Sequence, residues 1–341
     1  MIGYYIHHHG LGHLARATRI VSACRTPVTA FSSLPRPDSW PGDWFELPDD
    51  RSDAPVRPDA GGVLHWAPLD HPGHRRRFGM LAERLAADLD AMVVDVSTEV
   101  TLLSRLFGVR TAVVAQRGDR SDRPHRTAWD AADRILAPWT PATAEPWWPQ
   151  EWAAKTVHLG ALSRFDDRPS PAPRHLADAA PAEPETTARR TVLLLWGGGS
   201  DLDAAATDAA REATPGWTWR VCTPRQPSPD LWTDLLAADV VVAHGGNNAI
   251  AEIAAARRPA VVIAQPRPFD EQHANVSALR RAGCAIGLDA WPTDADWPRL
   301  LERALATGGE RWAVWHDGRG VDRAAATIDT LAEEGRCGSR S

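Results

Sequence analysis

The sequence predicts an α/β chain made of two Rossmann-like halves, each a parallel sheet wrapped by helices, facing one another across a cleft. Three observations predict it. Short β-rich runs alternate with helical segments along most of the chain, the pattern of a sheet whose strands are joined by helical crossovers. A stretch crowded with Pro, Ala and charge interrupts that alternation near the middle and reads as a surface linker. The glycine turns fall where a strand passes into a helix, at the carboxyl ends of parallel strands, where open α/β sheets bind ligands.

At 341 residues, the chain exceeds what one hydrophobic core usually supports. The expected division is an N-terminal domain over 1–164, a linker over 165–190 and a C-terminal domain over 191–341. In the first half MIGYYIH, PVTAFSS, AMVVDVS, VRTAVVAQ, DRILAP and KTVHLG read as strands, with helices near 13–25, 77–90, 98–107 and 125–132. The Pro-, Asp- and Trp-rich stretch 34–72 fits neither period and is expected to form ordered loops, a candidate wall for an acceptor. In the second half TVLLLWGGGS, WTWRVCT, DVVVAH, PAVVIAQ and CAIGL alternate with helices near 201–213, 229–237, 247–258, 271–282 and 294–307. The run 310–334 is helical in pattern and is expected to pack back across the linker onto the N-terminal domain.

Composition narrows the function. A net charge of −6 argues against a nucleic-acid partner, which needs a concentrated basic surface. Lys155 is the only lysine, so a Walker P-loop is absent. Cys24, Cys222, Cys284 and Cys337 are far apart and form no CxxC pair, which suggests neither a zinc cluster nor a disulfide framework. The amino terminus lacks a basic start followed by a long apolar run, and no stretch approaches the roughly 20 apolar residues that span a bilayer. The expectation is a cytoplasmic protein, at most peripheral to the inner membrane face. Any membrane contact would be weak and would run through Arg75, Arg76 and Arg77 in the basic run HPGHRRRFGM, which reads equally as a solvated helix start.

Chemistry concentrates in VVVAHGGNNAIAEIAAARRPAVVIAQPRPFDEQHANVSALRRAG, residues 240–283. A strand ending at His244 meets Gly245 and Gly246, which let the backbone approach a ligand. A helix opening near Asn247 then aims its unpaired N–H groups and positive dipole end at an anion. Asn248 and Glu252 are four apart, hence on one helical face, with the carboxylate placed to accept from a ribose diol. Glu271 and Gln272 open the next helix within reach of sugar hydroxyls.

Those residues, His244, Gly245, Gly246, Asn248, Glu252, Glu271 and Gln272, resemble the nucleotide-sugar signature of GT-B glycosyltransferases. The bacterial family 28 branch is the more similar, with its Ala-rich helix and PAVVI-like strand after the turn. The plant-type signature has Ser after the Asn; here Ala249 stands in its place. The resemblance implies a GT-B fold, a nucleotide-sugar donor with UDP as the expected nucleotide, phosphate on His244 and the turn amides, ribose on Glu252, and sugar on Glu271 and Gln272.

HHHGLGHLARATRI repeats the device at the start of the chain, with Gly10 and Gly12 in a turn and His13 opening a helix that carries Arg16 and Arg19. The GxGH turn resembles both family 28 enzymes and nucleotide-sugar hydrolases, and by that resemblance His13 is a candidate base with Gly12 on the donor side. A near-neutral imidazole can take a proton from an acceptor hydroxyl; a helix-capping His13 stays open. Asp95, ending the strand MVVDVS, would orient His13 or bind acceptor, with a capping role for it or Ser97 as the alternative. His7 and His9 would face one side of a strand and His8 the other, so the trio cannot converge on a metal without a bend.

A second glycine turn, WGGGSDLD, offers Gly198, Gly199 and Ser200 to the pyrophosphate. Asp201 and Asp203 form a D-x-D string, read here as first-turn acidic residues of a helix rather than metal ligands. The reading is an inverting, metal-independent glycosyltransferase without a cofactor, moving sugar to a hydroxyl acceptor that the residues do not identify. A nucleotide-sugar hydrolase or epimerase on the same fold, and a non-catalytic nucleotide-sugar-binding protein, are the alternatives.

Overall fold

The computed structural model describes residues 1–8, 11–87, 89–174, 189–197 and 202–338. The chain forms two compact units. The first comprises Met1–Pro138, Pro146–Leu159 and Arg319–Ser341; the second comprises Trp139–Glu145 and Gly160–Gly318. The linker segment 175–188 lies outside the described residues.

The first unit runs β1 (Ile2–Ile6), α1 (Leu11–Ala23), β2 (Val28–Ser32), β3 (Asp43–Glu46), α2 (Pro72–Ala87), β4 (Ala91–Asp95), α3 (Thr98–Leu106), β5 (Arg110–Val114), α4 (Arg123–Ala131), β6 (Arg134–Ala137), α5 (Gln150–Ala153) and β7 (Thr156–His158). Its seven strands order β3-β2-β1-β4-β5-β6-β7, all parallel. Strand order reverses between β1 and β4, whose last residues pair as Ile6 with Asp95. A reversal of this kind opens a crevice at the carboxyl ends of the two strands. The stretch 34–72 contributes β3, and a bridge between Val56 and Leu69 closes its loop.

The second unit runs β8 (Arg190–Leu195), α6 (Ala204–Glu212), β9 (Trp217–Cys222), α7 (Leu231–Ala237), β10 (Val240–His244), α8 (Asn247–Ala256), β11 (Ala260–Ile263), α9 (Glu271–Ala282), β12 (Ile286–Leu288) and α10 (Trp297–Thr307). Its parallel strands order β12-β11-β10-β8-β9, so the reversal lies between β8 and β10. Alternate side chains of each strand enter opposite layers, the consequence of the two-residue period. Leu193, Val241 and Val262 pack with Leu235 of α7 and the Ala-rich face of α8. Val192, Val242 and Val261 pack with Trp297 and Leu301 of α10. A sheet buried on both faces explains why these strands read as continuous apolar runs rather than alternating ones.

The run 310–334 is not one helix. Glu310–Val314 is a short 3-10 turn in the second unit, and α11 (Gly320–Gly338) belongs to the first, where it packs on α1, β4, β5 and β7. Asp329 holds it there, accepting from the backbone N–H of Arg25 and Thr26 at 3.0 and 2.9 Å. No helix among the described residues is long and apolar enough to cross a membrane.

The expected contact through Arg75, Arg76 and Arg77 needs correction at Arg77. Arg75 and Arg76 are exposed on α2, but Arg77 is fully buried. Its guanidinium donates to Asp50 Oδ1 at 3.0 Å, Pro48 O at 2.8 Å and the Tyr5 hydroxyl at 2.9 Å. A helix turns about 100° per residue, so three consecutive arginines cannot share one face, and the third points into the fold.

Candidate active site

In the first unit the reversal point carries His13, Asp95 and Arg16. β4 delivers Asp95 to the crevice; Val96 follows at φ 85°, a conformation costly for a β-branched residue, and Ser97 then caps α3 through Val100 N–H. The cap falls to Ser97, which leaves the Asp95 carboxylate to other partners. His13 sits in the first turn of α1, its Nδ1 3.0 Å from Asp95 Oδ1. Arg16, one turn on, donates through Nη2 to both carboxylate oxygens at 2.7 and 2.9 Å. Asp95 is fully buried; burial favours its neutral form, but the Arg16 guanidinium and His13 outweigh this and hold the carboxyl well below its usual range. Arg16 Nη2 also lies 3.2 Å from His13 Nδ1; where the ionised Asp95 accepts a proton from Nδ1, the lone pair of His13 is on Nε2. Gly12 lies inside α1 rather than in a turn before it, and Gly10 lies outside the described residues. His7 and His8 follow the end of β1 with rings stacked at 4.8 Å, so strand alternation does not apply to them.

In the second unit the reversal point carries His244. Gly245 and Gly246 are not there for positive φ, since neither adopts one; they make room. A Cβ on Gly246 would lie 2.4 Å from His244 Cε1, one on Gly197 would lie 2.6 Å from Nε2, and one on Gly245 would lie 3.1 Å from Gln272. The imidazole is thus clasped between Gly197, beyond β8, and the turn after β10. Its Nδ1 accepts from Gly246 N–H at 3.0 Å, which assigns the ring proton to Nε2. Burial, with the positive charge of Arg267, pushes His244 down to about 4, so the ring is a neutral donor at physiological pH. Gly246 is the N-cap of α8 and has no side chain to satisfy the first-turn N–H groups, which leaves them for an anion.

The remaining expected residues form a network around that turn. Asn247 Nδ2 donates to Glu271 Oε1 at 2.7 Å, and Gln272 Oε1 accepts from Gln265 N–H at 3.1 Å. Phe269 and Asp270, both left-handed at φ 60° and 53°, set the backbone that brings Glu271 and Gln272 to the turn. Asn248 is exposed while Glu252, on the same helix, is buried. Glu252 accepts at Oε1 from Arg164 Nε at 2.7 Å. Gly198, Gly199, Ser200 and Asp201 lie outside the described residues. Asp203 caps α6, accepting from Ala206 N–H at 3.2 Å.

Three residues were missed by sequence reasoning. Asn275, fully buried, ties the turn together by donating to Gly245 O and Asn247 Oδ1, each at 2.9 Å; its place one turn beyond Glu271 was the available signal. Arg16 stands three residues after His13, on its helical face. Arg164, at the edge of the expected linker, carried no signal.

Residues 226–306 match the glycosyltransferase family 28 C-terminal domain. A curated relative, the UDP-N-acetylglucosamine–N-acetylmuramyl-(pentapeptide) pyrophosphoryl-undecaprenol N-acetylglucosamine transferase of Rubrobacter xylanophilus, is 25% identical over 74% of this chain and 82% of its own length. Among solved structures, MurG of Acinetobacter baumannii superposes with a TM-score of 0.58 at 15% identity, covering 98% of this chain and 99% of its own. UGT89C1 of Arabidopsis thaliana, complexed with UDP, gives 0.61 at 14% identity, covering 97% and 99%. The fold places the chain among GT-B proteins. With the family model and the curated relative, it is a family 28-like glycosyltransferase.

Proposed function

We propose that the protein is an inverting transferase that moves a sugar from a nucleoside diphosphate, with UDP as the nucleotide, to an acceptor hydroxyl, without a metal or other cofactor in the chemical step. One observation carries the reading: His244, neutral and with Nε2–H as its donor, is clasped by Gly197 and Gly246 at the head of α8. A diphosphate there accepts from Nε2–H and from the amides of Asn247 and Asn248. Amides and a helix dipole then carry the leaving-group charge. Glu252 takes the ribose, and Glu271 with Gln272 takes the sugar.

His13 is the base. As the acceptor oxygen bonds to the anomeric carbon, its proton passes to Nε2 of His13, and the bond from that carbon to the diphosphate breaks with the electron pair leaving on phosphate. Asp95 fixes the ring tautomer and stabilises the imidazolium that forms. Direct attack inverts the anomeric centre.

The test has two arms. Titration of the EDTA-treated chain with UDP by calorimetry should give one site per chain, lost in Glu252→Ala. A UDP-sugar should persist with the enzyme alone and be consumed once an acceptor hydroxyl is added; release of free sugar without acceptor would make the protein a hydrolase.

A further inference from the structure

In the first unit three side chains converge: His65 from the loop before α2, and Asp122 and His125 at the head of α4. One ligand-type atom from each lies within 4.8 Å of the others. His65 Nε2 is 3.0 Å from Asp122 Oδ1, and His125 Nδ1 is 2.5 Å from Asp122 Oδ2. We propose that His65, Asp122 and His125 form a zinc-binding site that ties the loop preceding α2 to the head of α4.

The two ring nitrogens of His65 face Thr98 and Asp122. The Thr98 hydroxyl donates to Glu99 Oε1 at 3.0 Å, so toward His65 Nδ1, 3.4 Å away, its oxygen is an acceptor. With its proton on Nδ1, His65 presents the Nε2 lone pair toward Asp122, the tautomer that a metal ion selects. At 3.0 Å, Nε2 and Asp122 Oδ1 stand close to the separation, about 3.3 Å, of two ligands on a tetrahedral zinc. The Thr98 contact is also the outer-shell hydrogen bond that orients metal-bound histidines.

The ligand is held in place before any ion arrives. Glu99, buried, accepts the backbone N–H of His65 at 2.6 Å and of Trp66 at 3.2 Å. Trp66 Nε1 donates to Asp50 O at 3.1 Å. Asp122 is fixed as the N-cap of α4, accepting from His125 N–H at 3.0 Å. Two imidazoles and one carboxylate suit zinc better than magnesium or calcium, which prefer oxygen donors, and three protein ligands leave one position for solvent. Binding asks for small shifts. A tetrahedral ion opens the Asp122–His125 contact to about 3.3 Å, and His125 moves its ring proton from Nδ1 to Nε2. Arg120, now 3.4 Å from Nε2, turns away while keeping Gln116 Oε1 and Arg117 O as partners. Another convergent group among the described residues, His8 with Asp49 and Asp50, is a poorer site because Asp50 neutralises the buried Arg77.

Calorimetry of the EDTA-dialysed full chain with zinc chloride tests the site, with cobalt chloride absorbance as a second readout of tetrahedral geometry. One zinc per chain is expected. Affinity should fall at least about tenfold in Thr98→Val and further in His65→Gln and His125→Gln, and should be unchanged in His8→Gln. His65 lies in a loop, so His65→Gln leaves the α4 cap intact, and circular dichroism confirms the fold. Wild-type affinity in His65→Gln, loss of binding in His8→Gln, or no zinc uptake by the folded wild-type chain would overturn the assignment.

Discussion

A Cβ on Gly197 would stand 2.6 Å from Nε2 of His244, so the second residue beyond β8 is glycine because of a histidine at the end of β10. The two strands are neighbours in the sheet, and the ring fills the point where strand order reverses. Gly197→Ala and Gly246→Ala should each displace the ring and weaken UDP binding by at least tenfold, about 1.4 kcal/mol, with the fold retained by circular dichroism. Gly216→Ala, where an added methyl meets nothing within 4 Å, is the control. Equal UDP affinity in all three variants would remove His244 from the donor site.

Asp95 governs His13 through its ionisation. With Arg16 holding the carboxylate charged, Asp95→Asn removes the negative acceptor that stabilises an imidazolium while leaving the volume alone. Turnover should fall about 10²–10⁴-fold, as it should for His13→Ala, and the UDP dissociation constant should not move in either. A matching loss of UDP affinity would mean that these residues act in binding.

His244 also makes a pH prediction. Its folded value of about 4 lies below the ordinary histidine value near 6.5, so the unfolded chain takes up this proton first. The stabilising contribution is complete above about 6.5, shrinks as pH falls, and is lost by about 4. His125, likewise pushed down to about 4 by burial, acts in the same direction. Thermal denaturation between pH 7 and 4.5 should show the slope, reduced in His244→Asn. UDP affinity should stay level from pH 8 to 6, because the donor Nε2–H is already present; tightening near pH 6.5 would show that a charged imidazole binds the phosphate.

Much of this was legible in the sequence because it is local. β8, β10 and β11 are continuous apolar runs ending at glycine, histidine or proline, and α8 and α9 begin where the polar residues cluster. What was not legible depends on elements distant in sequence. Nothing near Gly197 announces that His244 will fill the space beside it, and Arg164 reaches Glu252 across 88 positions. Sequence spacing placed Asn248 and Glu252 together on one face, but one is exposed and the other buried, because only the second lies against packed chain. The C-terminal helix was expected on the first domain, yet its break at 315–319 is a change of unit that periodicity does not register.

Arg77 separates a buried cation from its exposed neighbours. Removing it leaves the Asp50 carboxylate buried beside Tyr5 without its main counter-charge, so Arg77→Ala should cost about 3–5 kcal/mol of stability. Arg75→Gln and Arg76→Gln should each stay within about 0.5 kcal/mol. Urea denaturation distinguishes these outcomes, and a mild Arg77→Ala would mean that the Asp50 site readily hydrates or takes up a proton.

Glu252 and Arg164 form the last test. Arg164 is more than half exposed while Glu252 is buried, so the carboxylate is the fixed member and the guanidinium the adjustable one. If Arg164 serves the donor only by orienting the Glu252 carboxylate, its removal has nothing to act on once Glu252 is gone. Glu252→Ala should then raise the donor KM at least tenfold, Arg164→Ala should raise it less, and the double variant should match Glu252→Ala, the signature of two residues acting as one unit. Additive losses in the double variant would instead assign Arg164 its own contact with the nucleotide.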